Sequence, residues 1–298
     1  MILGVVDHQG AKPAALQRAQ GRALVSVGLS RGQSRLVDLA QAGSARVMLP
    51  RSLGPRPEAV FLNTAGGLTS GDRLGFAMSV GAGAALTATT QTAERAYLAV
   101  DGPARLTIRA EVAAGATLDW LPQETILFQG SDLSRETQID LGPGASCLLV
   151  EIVTLGRRAM GEVVTKAQLT DRRTVTAQGQ PLHIEALRLT PESLRDAGSP
   201  AVLGSNSGLA GGGLAGGGLA HVFASLGLCG AGAEAAVEAL RALPRPEGVR
   251  AAVSGWNGRC LLRATGTDLW PLKLYLGRVM ARLTDRPLPR VWQMQGVA

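Results

Sequence analysis

Val80-Gly81-Ala82-Gly83-Ala84-Ala85-Leu86, Val112-Ala113-Ala114-Gly115-Ala116-Thr117-Leu118 and Leu141-Gly142-Pro143-Gly144-Ala145-Ser146-Cys147 are one phrase written three times. With Gly83, Gly115 and Gly144 as markers, the spacings are 115 − 83 = 32 and 144 − 115 = 29 residues, within the range of repeat architectures. An alternating run precedes each phrase: Leu74 to Val80, Arg105 to Val112, and Arg135 to Leu141. A second strand-like run follows each: Ala85 to Thr90, Thr117 to Leu121, and Ser146 to Val153. Strand, Gly-Ala turn and strand thus recur about every thirty residues, which predicts a mainly β chain of stacked, β-helix-like strands rather than a simple barrel.

Outward from this centre the pattern weakens. A degenerate fourth unit runs from Thr165 to Leu187 and turns at Gln178-Gly179-Gln180, with the sheet continuing to about Leu189. Arg22 to Gly28 and Ser34 to Leu39 read as a hairpin around Gly32, and Val249 to Val253 with Arg259 to Arg263 as another around Trp256-Asn257-Gly258. His221 to Leu228 reads as a strand. Two helices fall in the C-terminal third: Glu234 to Leu243, ending at Pro244, and Leu272 to Leu283, started near Pro271. One domain over 1–298 is expected, with a flexible glycine-rich loop at about 204–218.

Before the first phrase lies Asn63-Thr64-Ala65-Gly66-Gly67-Leu68-Thr69-Ser70-Gly71-Asp72, a tight turn between the runs Ala59 to Leu62 and Arg73 to Val80. It is no phosphate cradle, because Gly-Lys-Ser/Thr is absent and a strand follows where a helix is required. Gly66, Gly67 and Gly71 read as turn formers, and Asp72 as a cap for backbone N–H groups.

Composition narrows the function. Hydrophobic residues make up 46% of the chain and aromatics 3%, so the core must be aliphatic. The net charge of +7 comes almost wholly from arginine. With no basic run and no interleaved aromatics, an acidic protein partner is the more economical inference than nucleic acid. Cys147, Cys229 and Cys260 fit neither a disulfide framework nor zinc spacing and read as buried thiols in a reducing compartment. Residues 197–233 carry no charge but are too glycine-rich to span a membrane, and Met1 to Val6 lacks the features of a signal peptide. A cytoplasmic location is expected.

No catalytic motif stands out. His8, His183 and His221 are far apart, and only His183 and Glu185, two apart in a strand, share a face. The plain reading of that face is a solvated one, since Leu182 and Ile184 lie opposite. Asp72, Asp132 and Glu151 on a stacked β scaffold leave open a polysaccharide-cleaving solenoid, although sugar-stacking aromatics are missing.

Several longer stretches carry a family resemblance: Asn63 to Leu74, Leu86 to Tyr97, Leu118-Asp119-Trp120-Leu121-Pro122-Gln123-Glu124 with Phe128-Gln129-Gly130, Leu155-Gly156-Arg157-Arg158-Ala159-Met160-Gly161-Glu162, Pro181 to Leu189, and Leu288-Pro289-Arg290-Val291-Trp292. In order and over nearly the whole chain, these resemble the urease accessory protein UreD (UreH) family. Asn63-Thr64-Ala65 replaces the more usual proline-containing entry, Ser70 a common glycine, and Glu94-Arg95 a small residue followed by lysine.

The resemblance implies a β-helix-like stack with two helices and a non-enzymatic role. It implies binding to apo-urease with UreF and the GTPase UreG, room for a homodimer in that complex, and delivery of nickel to the urease active site. Nickel is cargo on this reading, with no cofactor of the protein's own. Asp72, Glu185 and His183 are the candidates for a transit path; Gly66, Gly67, Gly71, Glu94, Arg95, Arg157 and Glu162 are candidates for turns or partner contacts. A β-solenoid hydrolase and a free-standing metal store are the alternatives, the latter weakened by the lack of a His or Cys cluster.

Overall fold

Each copy of the repeated phrase carries the chain from one sheet to another. The computed structural model describes residues 17–51, 56–157, 160–195, 220–284 and 286–293; the glycine-rich stretch at 204–218 lies outside them. In chain order the strands are β1 (Gln20–Ser30), β2 (Gln33–Gly43), β3 (Ala45–Met48), β4 (Glu58–Asn63), β5 (Arg73–Val80), β6 (Ala85–Thr90), β7 (Glu94–Ala96), β8 (Ala104–Val112) and β9 (Thr117–Leu121). They continue as β10 (Thr125–Leu127), β11 (Asp132–Leu141), β12 (Ser146–Leu155), β13 (Gln168–Ala177), β14 (Gln180–Leu189), β15 (Val222–Cys229), β16 (Val249–Trp256) and β17 (Arg259–Gly266). The helices are α1 (Pro191–Arg195), α2 (Ala236–Arg241) and α3 (Leu269–Thr284). Among the described residues no helix is long and apolar enough to cross a membrane.

Two sheets face each other. One has the order β14-β13-β11-β8-β5-β1-β2, and the other runs β16-β17-β15-β12-β9-β6-β4-β3 with β7 and β10 attached. β5, β8, β11 and β13 are parallel neighbours in the first, and β4, β6, β9 and β12 in the second. The register repeats the sequence spacing: Arg73 pairs with Arg105, an offset of 105 − 73 = 32, and Arg105 with Ser134, an offset of 134 − 105 = 29. Gly83, Gly115 and Gly144 have φ of 67°, 64° and 67°, a left-handed conformation that glycine adopts without a Cβ penalty. The turns also bond to one another, Gly83 N–H to Ala114 O and Gly115 N–H to Pro143 O, both at 2.9 Å.

The fourth unit departs from this plan. Gln178 and Gly179 both have positive φ (50° and 78°), as in the two-residue turns that reverse a strand within its own sheet. β13 and β14 therefore form an antiparallel hairpin instead of crossing over.

Inward residues of β5, β8 and β11, such as Phe76, Ile108 and Ile139, meet inward residues of the second sheet, such as Leu86, Leu118 and Leu149. That second sheet is buried on both faces. Leu148, Val150 and Ile152 point the other way, against Leu272, Tyr275, Leu276 and Val279 of α3, which explains the nearly unbroken apolar run of β12. Trp292 closes this layer: it is fully buried, its Nε1–H donates to Leu121 O at 2.8 Å, and the Lys273 ammonium sits 5.4 Å from its ring. Trp292→Ala should cost about 3–5 kcal/mol in urea unfolding; an unchanged midpoint would show that the C-terminal segment does not hold the second core.

Candidate functional site

Polar residues enter the inter-sheet layer at positions where alternation calls for apolar ones. In β11 the inward series is Leu133, Arg135, Thr137 and Ile139, and in β13 it is Leu169, Asp171, Arg173 and Val175. A buried charge is tolerable only when it is paired and hydrogen-bonded, and these are. Arg135 is 3% exposed; its Nε and Nη2 donate to the two oxygens of Asp171 at 3.0 and 2.8 Å, and its Nη1 to Thr125 Oγ1 at 2.9 Å. The same Nη1 lies 2.6 Å from Glu151 Oε2 of the facing sheet, poorly aligned for a hydrogen bond.

The line continues toward the sheet edge. Arg173 contacts Asp171 at 3.3 Å and Glu185 at 3.2 Å. Glu185 also accepts from Ser225 Oγ at 2.6 Å and Arg263 Nε at 2.8 Å, both on the opposite sheet, and His183 Nε2 stands 3.7 Å away. Three carboxylates (Glu151, Asp171, Glu185) and three guanidiniums (Arg135, Arg173, Arg263) thus bridge the layers.

The face shared by His183 and Glu185 is therefore not solvated. His183 is 3% exposed while Ile184, on the other face, is 52% exposed. The polar pair points inward because the partners of Glu185 lie across the layer, and that pairing outweighs the apolar preference of Ile184.

Burial pushes both Arg135 and Asp171 toward their neutral forms, but their mutual ion pair, with Glu151 and Arg173, outweighs it, raising the arginine and lowering the acid. Glu185 is likewise pushed up by burial but held well below the usual carboxylate range by the nearby His183, the charge of Arg173 and hydrogen bonds from Ser225 and Arg263. Glu151 goes the other way, raised by burial more than Arg135 lowers it.

At the Arg135 and Glu151 end the line opens into a cavity of about 60 Å³ that reaches outward to Asn63, Gly66, Gly67 and Glu94. At roughly 10–15 Å³ per water, it has room for a few water molecules. Trp120 Nε1 and Gln123 Nε2, both on its wall, have no hydrogen-bond acceptor within the protein. Glu94 guards the outer end, with Asn63 Nδ2 3.2 Å from Oε1 and its own next N–H, of Arg95, at 3.1 Å. Burial raises its pKa to about 7 against those bonds, and the charge of Asp72 adds to the rise.

The remaining candidates assemble the corner beside that opening. Asp72 accepts backbone N–H groups from Ala19 at 2.7 Å and Thr69 at 2.9 Å, so one oxygen caps the turn and the other ties it to the entry of β1. Ser70 Oγ accepts from Val100 and Asp101, tying the turn to the next coil. Gly71 faces Arg18, while a Cβ on Gly67 would stand 2.4 Å from Tyr97 Cε2 and 2.8 Å from Arg95 O. That space lets Tyr97 stack on Phe128 (5.0 Å, 9°), with the Arg157 guanidinium 4.9 Å from the far ring and fixed by Glu162 at 3.0 Å. Gly66, Gly67, Arg157 and Glu162 thus belong to one column running up the coils. Asp72 lies apart from Glu185, four strand positions away or roughly 19 Å at the usual strand spacing.

Arg135, Asp171, Arg173 and Arg263 were not marked by any local motif. Their signal was a charged residue two positions from an apolar one on the same face, as in Leu133-Ser134-Arg135 and Arg173-Thr174-Val175. Among the described residues, no group of three or more His, Cys, Asp or Glu could hold a metal ion.

A model of the UreD urease accessory protein family matches residues 19–293. Three similar proteins, each named urease accessory protein UreD, come from Cereibacter sphaeroides (49% identical, over 93% of this chain and 96% of the relative), Paracoccus denitrificans (46%, over 95% of each) and Rhizobium leguminosarum bv. trifolii (38%, over 97% and 100%).

Two substitutions test this geometry. Gly67→Ala, strained at φ 150° and crowded by Tyr97, should cost about 1–3 kcal/mol; wild-type stability would show that the ring column is not tightly packed there. A carboxyl whose pKa rises on folding, from 4.5 to about 7 for Glu94, costs stability as pH climbs through that window. Glu94→Gln should therefore gain about 1–3 kcal/mol over wild type at pH 8 and little at pH 4.5. An equal difference at both values in urea unfolding would contradict the assignment.

Proposed function

The chain belongs to the UreD urease accessory protein family and so serves urease maturation, and on that premise we propose that it is a scaffold which binds apo-urease with UreF and UreG and passes nickel through its inter-sheet layer toward the urease active site. The observation carrying this reading is the buried line from the Glu94 opening through Glu151, Arg135, Asp171 and Arg173 to Glu185 and His183. A dry β sandwich gains nothing in stability from such a line that apolar side chains could not provide.

The chemistry suits passage. Divalent nickel takes carboxylate oxygen and imidazole donors, and both side-chain types line this path. Inside the layer Glu151, Asp171 and Glu185 are already balanced by guanidiniums, so a cation meets weak, incomplete coordination and is not stored. The cavity of about 60 Å³ also fits water and a metal ion far better than a saccharide, whose pockets begin near roughly 300 Å³. His183 and Glu185 are the donors at the inner end, Glu94 at the opening, and Asp72 contributes its charge beside Glu94 while capping the turn. The setting is the cytoplasm, where Cys147, Cys229 and Cys260 remain thiols.

The test is coexpression with the urease operon, reading nickel per urease active site by mass spectrometry. Glu185→Gln should still co-purify with UreF and apo-urease yet lower that nickel content severalfold, and Asp72→Ala should do so less. Nickel content equal to wild type would relegate these side chains to structure, and urease that matures normally without the protein would end the reading. The same co-purification reports whether the complex holds two copies of this chain.

A further inference from the structure

Six arginines stand on the outward face of the seven-stranded sheet within three adjoining register rows. Arg73, Arg105 and Arg188 lie in the first, Arg22 and Arg172 in the second, and Arg109 in the third. All six are exposed. Glu136 is the single carboxylate in those rows; Glu111 and Asp140 fall one row further on, so the face is polarised. Arg73 and Arg105 are register partners on neighbouring strands, about 4.8 Å apart along the sheet.

Like charges set side by side on a sheet are destabilising, and within these rows Glu136, the register partner of Arg172, is the one carboxylate set against six arginines. None of the six has an ion-pair partner among the described residues. A stability cost kept on a rigid surface points to a ligand outside the chain.

We infer that this arginine face docks the acidic surface of a folded partner protein. The rows contain no aromatic side chain, so nucleic-acid bases have nothing to stack on. Guanidinium forks on a flat, rigid lattice match carboxylates two at a time. At the Asp72 corner the face borders Leu98 and Val100, which are 58% and 71% exposed and bring apolar contact to the edge of the charged field. Arginine with a neighbouring apolar patch is the composition of protein interfaces.

The choice of partner rests on the maturation reading, so the probes are nickel-free apo-urease and the accessory proteins encoded with it. Binding is measured by biolayer interferometry at about 50 and about 300 mM NaCl for wild type, Arg73→Glu/Arg105→Glu, and Arg282→Glu on α3 as a control. The double reversal should weaken at least one of these complexes about tenfold or more at low salt, with the gap narrowing at high salt and the control unaffected. Wild-type affinity of the double variant for every partner would overturn the docking face and leave the maturation reading standing. A short duplex DNA is run as a further probe: wild-type binding to it that the double variant loses, with every protein complex unchanged, would overturn the docking face in favour of nucleic acid. Failure of the wild type itself to bind any of these proteins would remove the maturation reading and the docking face with it.

Discussion

Arg135 is the point on which both sheets converge. Its guanidinium meets Asp171 of its own sheet, Glu151 of the facing sheet and Thr125 of the short strand between coils. A single side chain therefore fixes the distance between layers and the lateral register of three elements. Interactions of this kind are poor sources of net stability but severe when broken, because a lone buried charge has no solvent to turn to. The layer consequently has two characters: an apolar half around the aromatic cluster Phe61, Phe76 and Trp120, and a charged half toward β14 and β15.

The charged half explains why the sandwich is not sealed. β14 closes its sheet as a hairpin strand, and β15 and β17 extend the other sheet past it, so Ser225 and Arg263 reach across to Glu185 where coils no longer stack. The cavity at one end and the partly exposed Arg263 at the other make this the polar axis of the molecule. The second core, under α3 and Trp292, keeps the back of the ten-stranded sheet dry.

The stacked coils were legible in the sequence because the Gly-Ala phrase needs a left-handed glycine at the same place in each turn. The final reversal was not, because Gln178-Gly179 performs the hairpin turn that Asn257-Gly258 advertises openly. The Asp72 cap was legible from turn chemistry, whereas the inward orientation of His183 and Glu185 was not. Glu185 turns inward to partners 40 and 78 residues away in the chain, carrying His183 on the same face, and local hydropathy pointed to the opposite face. Long-range charge pairing is invisible to periodicity; only its trace, a charge in an apolar row, is left in the strand.

The registered turns have a consequence for how the chain can change in length. From Arg73 to Ala85, from Arg105 to Thr117 and from Ser134 to Ser146 the count is always 12 residues (85 − 73, 117 − 105, 146 − 134). The return from the second sheet takes 20, 17 and 24 (105 − 85, 134 − 117, 170 − 146). One edge of the stack is thus a spine of constant length, where a single inserted residue would turn every side chain of a strand inside out. The other edge is where length is free, and it is there that Glu94, Tyr97, Phe128 and Arg157 sit. Novelty in this architecture can accumulate along one margin while the other keeps count.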